Sequence, residues 1–499
     1  MSSLFTRRGF TPGIFSISLA LCAGIAVAGI LWPDTLAGSI SEVTSAVFSS
    51  LDWFFMLVVT GFLVFVVGIA VSPYGRLQLS KDGEGTEFST TSWLAMLFAA
   101  GMGSGLLFWG VAEPMFHFVA PPVGPGGTVD AARHAMVLTN FHWGLHAWAV
   151  YCLGALVLAY FHFRRGTPFL AGSPLRSAFR GAWVEPVAGT ADLIAVVAVA
   201  FGVAGSLAMG TFQLRTGLAS VFGTPTGVVV TVCIMVALFA AYMTSAATSL
   251  DKGIKILSNI NMGIAVALLC FMLLVGPTPD LLRTLVTSVG DYASSVVGLS
   301  FELYPYKGIG GWLHSWTLIY FIWWIAWTPF VGIFIARISR GRTIREFVAG
   351  VLLAPTGFSI VWFAVFGGFG LHEEMNGAGG VGDLVKEDVT VALFTVYERV
   401  PGSAVLALAT LVLVFVFLVT SVDSATYVLG MLTSKGSMDP PRSRKLAWGV
   451  ALAILGAALA LTGNLDVVRA TAVLGAIPFT FVMLLQLAAF VRALREDVP

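Results

Sequence analysis

The sequence predicts an all-α polytopic membrane protein with twelve transmembrane helices, and three observations carry that prediction. Of the 499 residues, 57% are hydrophobic and only 11% are charged, against about 25% charged in a soluble domain; the mean hydropathy is +0.90. Twelve apolar runs each approach the roughly 20 residues that a helix needs to cross a bilayer. The basic residues are also segregated: twenty of the 27 fall in segments on the side of the N-terminus, which the positive-inside bias assigns to the cytoplasm together with both termini. A miscounted span would scramble that alternation. A net charge of +1 excludes nucleic acid or an acidic polymer as a dominant partner.

Span one, residues 12–32, follows Arg7-Arg8 and has the length of an anchor rather than of a cleaved signal peptide. Span two covers 53–72. Span three, 92–112, contains Gly101-Met102-Gly103-Ser104-Gly105, and three glycines at alternate positions disfavour a continuous helix. Unwound backbone at this depth survives only where it lines a cavity or binds an ion, close helix packing being the competing use of such residues. Span four, 139–161, places Trp143, Trp148 and Tyr151 at about 0°, 140° and 80° around one helix, on a single side.

Spans five to seven, 190–214, 225–247 and 256–276, complete a first half. A connector, 277–311, has the alternation of an amphipathic helix on the membrane surface. Span eight, 312–336, puts Trp323, Trp324 and Trp327 within five residues and is expected to break at Pro329 and Gly332. Interrupted helices at matching places in two halves point to a central transport site. Spans nine to twelve are 347–369, 403–431, 446–463 and 470–491, and the acidic, glycine-rich segment 370–402 reads as a solvated lid or a plain connector. The resulting division is 1–91 for the tail and first two helices, 92–276 for a first repeat, 277–311 for the connector, 312–495 for a second repeat and 496–499 for a short tail. Cys22, Cys152, Cys233 and Cys270 all lie in apolar runs and read as small core residues.

Indoles normally gather at the bilayer faces, yet Trp323, Trp324 and Trp327 lie roughly two to three turns inside the apolar run. Buried ring faces beside a helix break suit a cation with no proton to donate, and a quaternary ammonium group is such a cation. Trp324 is the residue expected to line the cage, with Trp323 packing behind it. His142 and His146 form an i, i+4 pair without an apparent third metal ligand, so an enzyme is not expected. A channel is disfavoured by the lack of a repeated filter or charge ring.

At these residues the chain resembles the betaine/choline/carnitine transporter family. The resemblance runs from span three to span twelve, through Gly101–Leu106 with Trp109-Gly110-Val111-Ala112-Glu113-Pro114, Phe141–Trp148, Ser315–Arg342 and Thr420-Ser421-Val422-Asp423-Ser424. It implies a leucine-transporter-type fold of two five-helix inverted repeats preceded by two extra helices, assembled as a homotrimer in the inner (plasma) membrane among its lipids. It further implies uptake of a betaine-like zwitterion through an aromatic box of Trp143, Trp148, Tyr151 and Trp324, with Trp327, Met102 and Gly105 along the pathway.

In sodium-coupled relatives the matching ligands are the carbonyls of Ala99, Met102 and Phe417 and the hydroxyls of Thr420 and Ser421. Sodium is then the coupling ion, with no other cofactor. Proton-coupled choline carriers have aspartate where Gly105 stands, which favours sodium and glycine betaine here. The alternatives are a sodium-independent exchanger, or a carrier of choline, carnitine, ectoine, proline or a sulfonium solute.

Two residues depart from the family pattern. Arg215 stands where asparagine is expected; it replaces the ion as a fixed charge, meets a substrate carboxylate, or snorkels to the outer interface. Phe321 stands where some betaine carriers have tryptophan. The short tail does not fit a tail-based osmosensor, and the basic stretch Arg340–Arg345 suits contact with anionic lipid or a neighbouring subunit.

Overall fold

The computed structural model describes residues 11–497 except 82, 102 and 249–250, with backbone alone for 11–12, 98–101, 247–248 and 251–255. Two helices open the chain, α1 (Thr11–Leu31) and α2 (Pro33–Val71), the second bent at Leu51. Next come α3 (Thr90–Gly101), α4 (Ser104–Val119), α5 (Val129–Trp143) and α6 (Leu145–Ala159). The short α7 (Ser173–Ala178) leads into α8 (Val184–Phe222), α9 (Val228–Thr248) and α10 (Asp251–Val275). Then α11 (Thr278–Leu299) and a single turn, α12 (Gly310–Leu313), connect to α13 (Ile319–Ile338) and α14 (Ile344–Asn376). Two short helices, α15 (Val381–Glu387) and α16 (Ala392–Tyr397), precede α17 (Ser403–Leu432), α18 (Arg442–Leu461) and α19 (Leu465–Asp497).

Eleven helical stretches among the described residues are long and apolar enough to cross a membrane. The twelfth expected crossing is the pair α3 and α4, whose 12 and 16 residues are each too short to span alone. Burial sorts centre from rim. Of the most apolar 18 residues in the α5–α6 stretch 94% are buried, against 28% in α1 and in α10, as expected of helices whose apolar sides face lipid.

Small residues set the closest approaches at the centre, where α6 packs on α13 and α8 on α17 and α19. A Cβ on Gly154 would stand 2.2 Å from the Thr328 methyl, and one on Gly332 would stand 3.3 Å from the Ala155 nitrogen. Glycine at these crossings lets the backbones meet.

The expected break at Pro329 and Gly332 is not there: α13 runs on through both. Proline removes one ladder bond, which a buried helix among other helices tolerates; the Thr328 hydroxyl adds a bond to the Trp324 carbonyl at 2.9 Å. The irregularity of this span lies earlier, in a π-helical turn at His314–Leu318.

Two other expectations are corrected, and the basic stretch 340–345 gains intrachain partners. Cys233 and Cys270 are exposed on the bundle surface, not core residues like Cys22 and Cys152. Segment 370–402 is folded into the end of α14, α15 and α16, held by bonds such as Glu374 to the Gly382 N–H and Thr390 to Thr216. The arginines of 340–345 are engaged within the chain: Arg340 pairs with Glu84, Arg342 donates to Phe88 and Thr90, and Arg345 donates to the Ala70 carbonyl. They pin the segment between α2 and α3.

Candidate functional site

Two helix breaks frame the centre of the bundle. The first separates α3 from α4 at Gly103, which is extended (φ −140°, ψ 172°), as its glycines led one to expect. The second, unexpected, falls at Gly144 (φ −97°, ψ −135°) between α5 and α6. Trp143 therefore sits on one helix and Trp148 and Tyr151 on the next, so the single-helix geometry expected for them does not apply. The cause is tertiary. A Cβ at Gly144 would lie 2.4 Å from the Asn140 carbonyl oxygen and 2.6 Å from the Tyr292 hydroxyl, and that hydroxyl accepts the freed Leu145 N–H at 2.9 Å.

Tyr292 belongs to α11, which buries Leu281, Ser288 and Tyr292 along one side against α14 and α5. A two-pronged Arg133–Asp291 pair at 2.9 and 2.7 Å ties α11 to α5. The hydrogen bonds from Arg133 hold the Asp291 carboxyl below the usual carboxylate range. Tyr292→Phe strands one half-buried amide, at a cost of about 1–3 kcal/mol. The expected outcome is a lower thermal transition of the purified protein together with weaker solute binding; an unchanged transition would show that the hydroxyl does not support the break.

The rings converge despite the second break. Trp143 and Trp324 meet edge to face at 5.0 Å, Tyr151 and Trp324 at 5.8 Å, and Trp148 and Tyr151 at 5.5 Å. All four line one cavity of about 1110 Å³, and Trp327 and Gly105 are also in its lining. Trp323, expected only to pack, lines it too. A Cβ on Gly105 would stand 3.0 Å from the edge of the Trp143 indole, so glycine there gives the ring its place.

Behind the box lies a polar network that the sequence reading did not assign. Glu113, fully buried on α4, accepts Trp143 Nε1–H at 2.7 Å and the Tyr320 hydroxyl at 2.5 Å, both on Oε2. Its Oε1 lies 2.7 Å from His142 Nδ1, and His142 Nε2 lies 2.9 Å from the Thr317 hydroxyl. The His142 carbonyl accepts Trp324 Nε1–H at 2.8 Å. The N–H groups of Trp143 and Trp324 are thus engaged behind the box, and these two indoles offer the cavity only ring faces and edges. The available signal was the carboxylate itself, since an ionisable residue inside an apolar span marks a functional position by default. His146 bonds to Ser300 and stacks on Phe321, so it turns away from His142. Phe321 is fully buried behind the box.

The expected ion ligands on α17 face the same cavity. Phe417, Thr420 and Ser421 line it, as Gly103 and Ser104 do, and the Thr420 hydroxyl donates to the Val416 and Phe417 carbonyls at 2.9 and 3.2 Å. Met102 lies outside the described residues, and Ala99 is described only by its backbone near the end of α3. Arg215 is not brought to the site. Its Nη1 reaches Thr231 on α9 at 3.4 Å, and its guanidinium lies 5.4 Å over Phe212, outside the cavity wall.

A different arginine is close to the box. Arg469 of α19, counted from sequence only as a topology marker, is 5% exposed. Its guanidinium lies 4.9, 5.3 and 6.0 Å from the rings of Trp316, Trp109 and Tyr320 and donates to the Ser315 carbonyl at 2.9 Å. From the box the cavity runs to Arg337, Arg340, Asp439 and Lys445. This is the end of the bundle where Arg165 pairs with Glu496 and Asp497 at the end of α19. On the other side of the box the stacked rings of Tyr320 and Trp316 and the packed ring of His117 fill the space.

A helical bundle of membrane spans, broken at its centre around a cavity that runs to one end, defines a solute carrier. The model of the BCCT, betaine/carnitine/choline family transporter, matches residues 13–499, and the chain belongs to that family. It is 41% identical over 97% of its length to the glycine betaine transporter OpuD of Bacillus subtilis (strain 168), covering 94% of that protein. It is 38% identical, again over 97%, to an ectoine/hydroxyectoine transporter of Virgibacillus pantothenticus, 96% of which is covered. An osmo-dependent choline transporter, BetT2 of Acinetobacter baylyi (strain ATCC 33305 / BD413 / ADP1), is 36% identical over 97% of the chain and 71% of its own length. The protein is therefore a multi-pass membrane transporter of this family and not an enzyme.

Proposed function

We propose that the protein carries glycine betaine, or a close trimethylammonium zwitterion, into the cell by Na⁺ symport. The observation that carries the substrate class is the box. Trp143 and Trp324 have both N–H groups engaged elsewhere, so the cavity wall presents ring quadrupoles and no donor at that point. A trimethylammonium group, with no proton to give, is matched by such a surface at about 2 kcal/mol or more when desolvated. The 41% identity to a glycine betaine transporter supports the same choice.

Hard oxygen donors at a helix break suit Na⁺, and Thr420 and Ser421, lining the same cavity as the Gly103 break, bring hydroxyls that fit that chemistry. Two inverted five-helix repeats, 92–276 and 312–495, would rock about the box to give alternating access. The basic end at Arg337, Arg340 and Lys445 would face the cytoplasm, which makes the present shape inward-facing. We further propose a plasma-membrane location and a homotrimer, by family resemblance.

The test is uptake of labelled glycine betaine by proteoliposomes with and without an inward Na⁺ gradient. The gradient is expected to drive accumulation, and equal rates in the two conditions would overturn symport. Thr420→Val removes one hydroxyl ligand; about 1.4 kcal/mol lost there is about a tenfold rise in the Na⁺ concentration needed for half-maximal uptake. Ectoine and choline belong in the same uptake panel, because relatives carry them.

A further inference from the structure

We propose that Glu113, His117 and His142 form a binding site for a transition-metal dication of the zinc class, set directly behind the aromatic box. Glu113 and His117 stand four residues apart on α4, His142 comes from the end of α5, and all three are fully buried. Glu113 Oε1 is 2.7 Å from His142 Nδ1 and 3.5 Å from His117 Nε2, and the three donor atoms lie within 4.8 Å of one another. Bonds of about 2.0–2.2 Å in a tetrahedral site place donors roughly 3.3–3.5 Å apart. The cluster reaches that spacing by small side-chain shifts. Two imidazoles and one carboxylate also form the set that keeps a fourth position for water.

The unmet group is His117. Neither of its ring nitrogens makes a well-formed hydrogen bond, Nε2 having only the 3.5 Å approach to Glu113, which is a costly state for a buried imidazole and one that a metal ion relieves. His142 is already prepared for the exchange. With its proton on Nδ1 it donates to Glu113, and Nε2 accepts from the Thr317 hydroxyl at 2.9 Å. When Nδ1 takes a metal, that proton shifts to Nε2, and Nε2–H donates to the same hydroxyl, which serves either role by rotating. A metal-bound histidine normally has such an outer partner for its second nitrogen.

The nearest charge from another element is Arg469, whose guanidinium lies on the Trp316 ring that also touches His117. It opposes the dication and keeps affinity moderate. Entry needs the ring-packed side of the bundle to open, as a transport cycle would require. Nothing in the cluster depends on which solute is carried, so this site and the proposed substrate stand or fall separately.

The test titrates zinc against a chromophoric chelator on the purified full-length protein, with no organic solute present. Wild type is expected to hold one zinc that His117→Ala binds at least about tenfold more weakly. Zinc K-edge absorption of the wild type should show imidazole in the coordination shell. Equal zinc binding by wild type and His117→Ala, or a shell without imidazole, overturns the proposal. His117→Cys keeps a donor at the position and should bind Cd²⁺ more tightly than wild type does; no gain there counts equally against the site.

Discussion

Leucine in place of Glu113 leaves Trp143 Nε1, the Tyr320 hydroxyl and His142 Nδ1 without their shared acceptor, and solute affinity is expected to fall about a hundredfold or more. Each stranded buried donor costs about 1–3 kcal/mol, and here the cost falls on the groups that orient the box. Glutamine at the same position is expected to lose far less. Its carbonyl can take the place of Oε2 under Trp143 and Tyr320. Its amide can donate to His142 Nδ1 once the histidine moves its proton to Nε2 and gives it to Thr317. Binding of labelled glycine betaine to the purified variants reads the difference. Equal losses in Glu113→Leu and Glu113→Gln would show that hydrogen-bond matching is not what the carboxylate supplies.

Trp324→Leu removes the ring that touches both Trp143 and Tyr151. Losing about 2 kcal/mol of cation–π attraction corresponds to roughly thirtyfold weaker binding of a trimethylammonium solute. Trp324→Phe keeps a ring face but gives up the bond to the His142 carbonyl, so it should fall between leucine and wild type. Trp327→Leu should cost less, because that ring packs on Phe330 and does not meet the other three. Unchanged affinity in Trp324→Leu would remove the box from the binding site.

Much of the architecture was legible because a bilayer imposes length and polarity on every span. The runs near 12–32 and 403–431 match α1 and α17 closely, and the alternate glycines at 101–105 announce the break that follows α3. The Gly144 break was not legible. Nothing local distinguishes that glycine from the many used for packing; its partner, Tyr292, is far along the chain. Pro329 misled in the opposite sense, since the ladder bond that proline removes is tolerated where neighbouring helices enclose the turn.

The rings expected to form the box do come together, but from two helices on that side rather than from one. Arg469 shows the limit of counting charges: a position near a span end says which side it is on, not whether it points outward or into a stack of rings. Glu113 sat in a motif and was read as a family marker, although its chemistry alone singled it out.

The Tyr292 hydroxyl has a consequence for how the chain can be assembled. The helices from 92 to 276 contain the break at Gly144 but not the group that satisfies it; that group arrives with α11. During synthesis the Leu145 amide precedes its partner by well over a hundred residues, so until α11 has followed, the break at Gly144 stands without that bond, at a cost of about 1–3 kcal/mol. One phenol from a later helix thus supports a bend made much earlier in the chain.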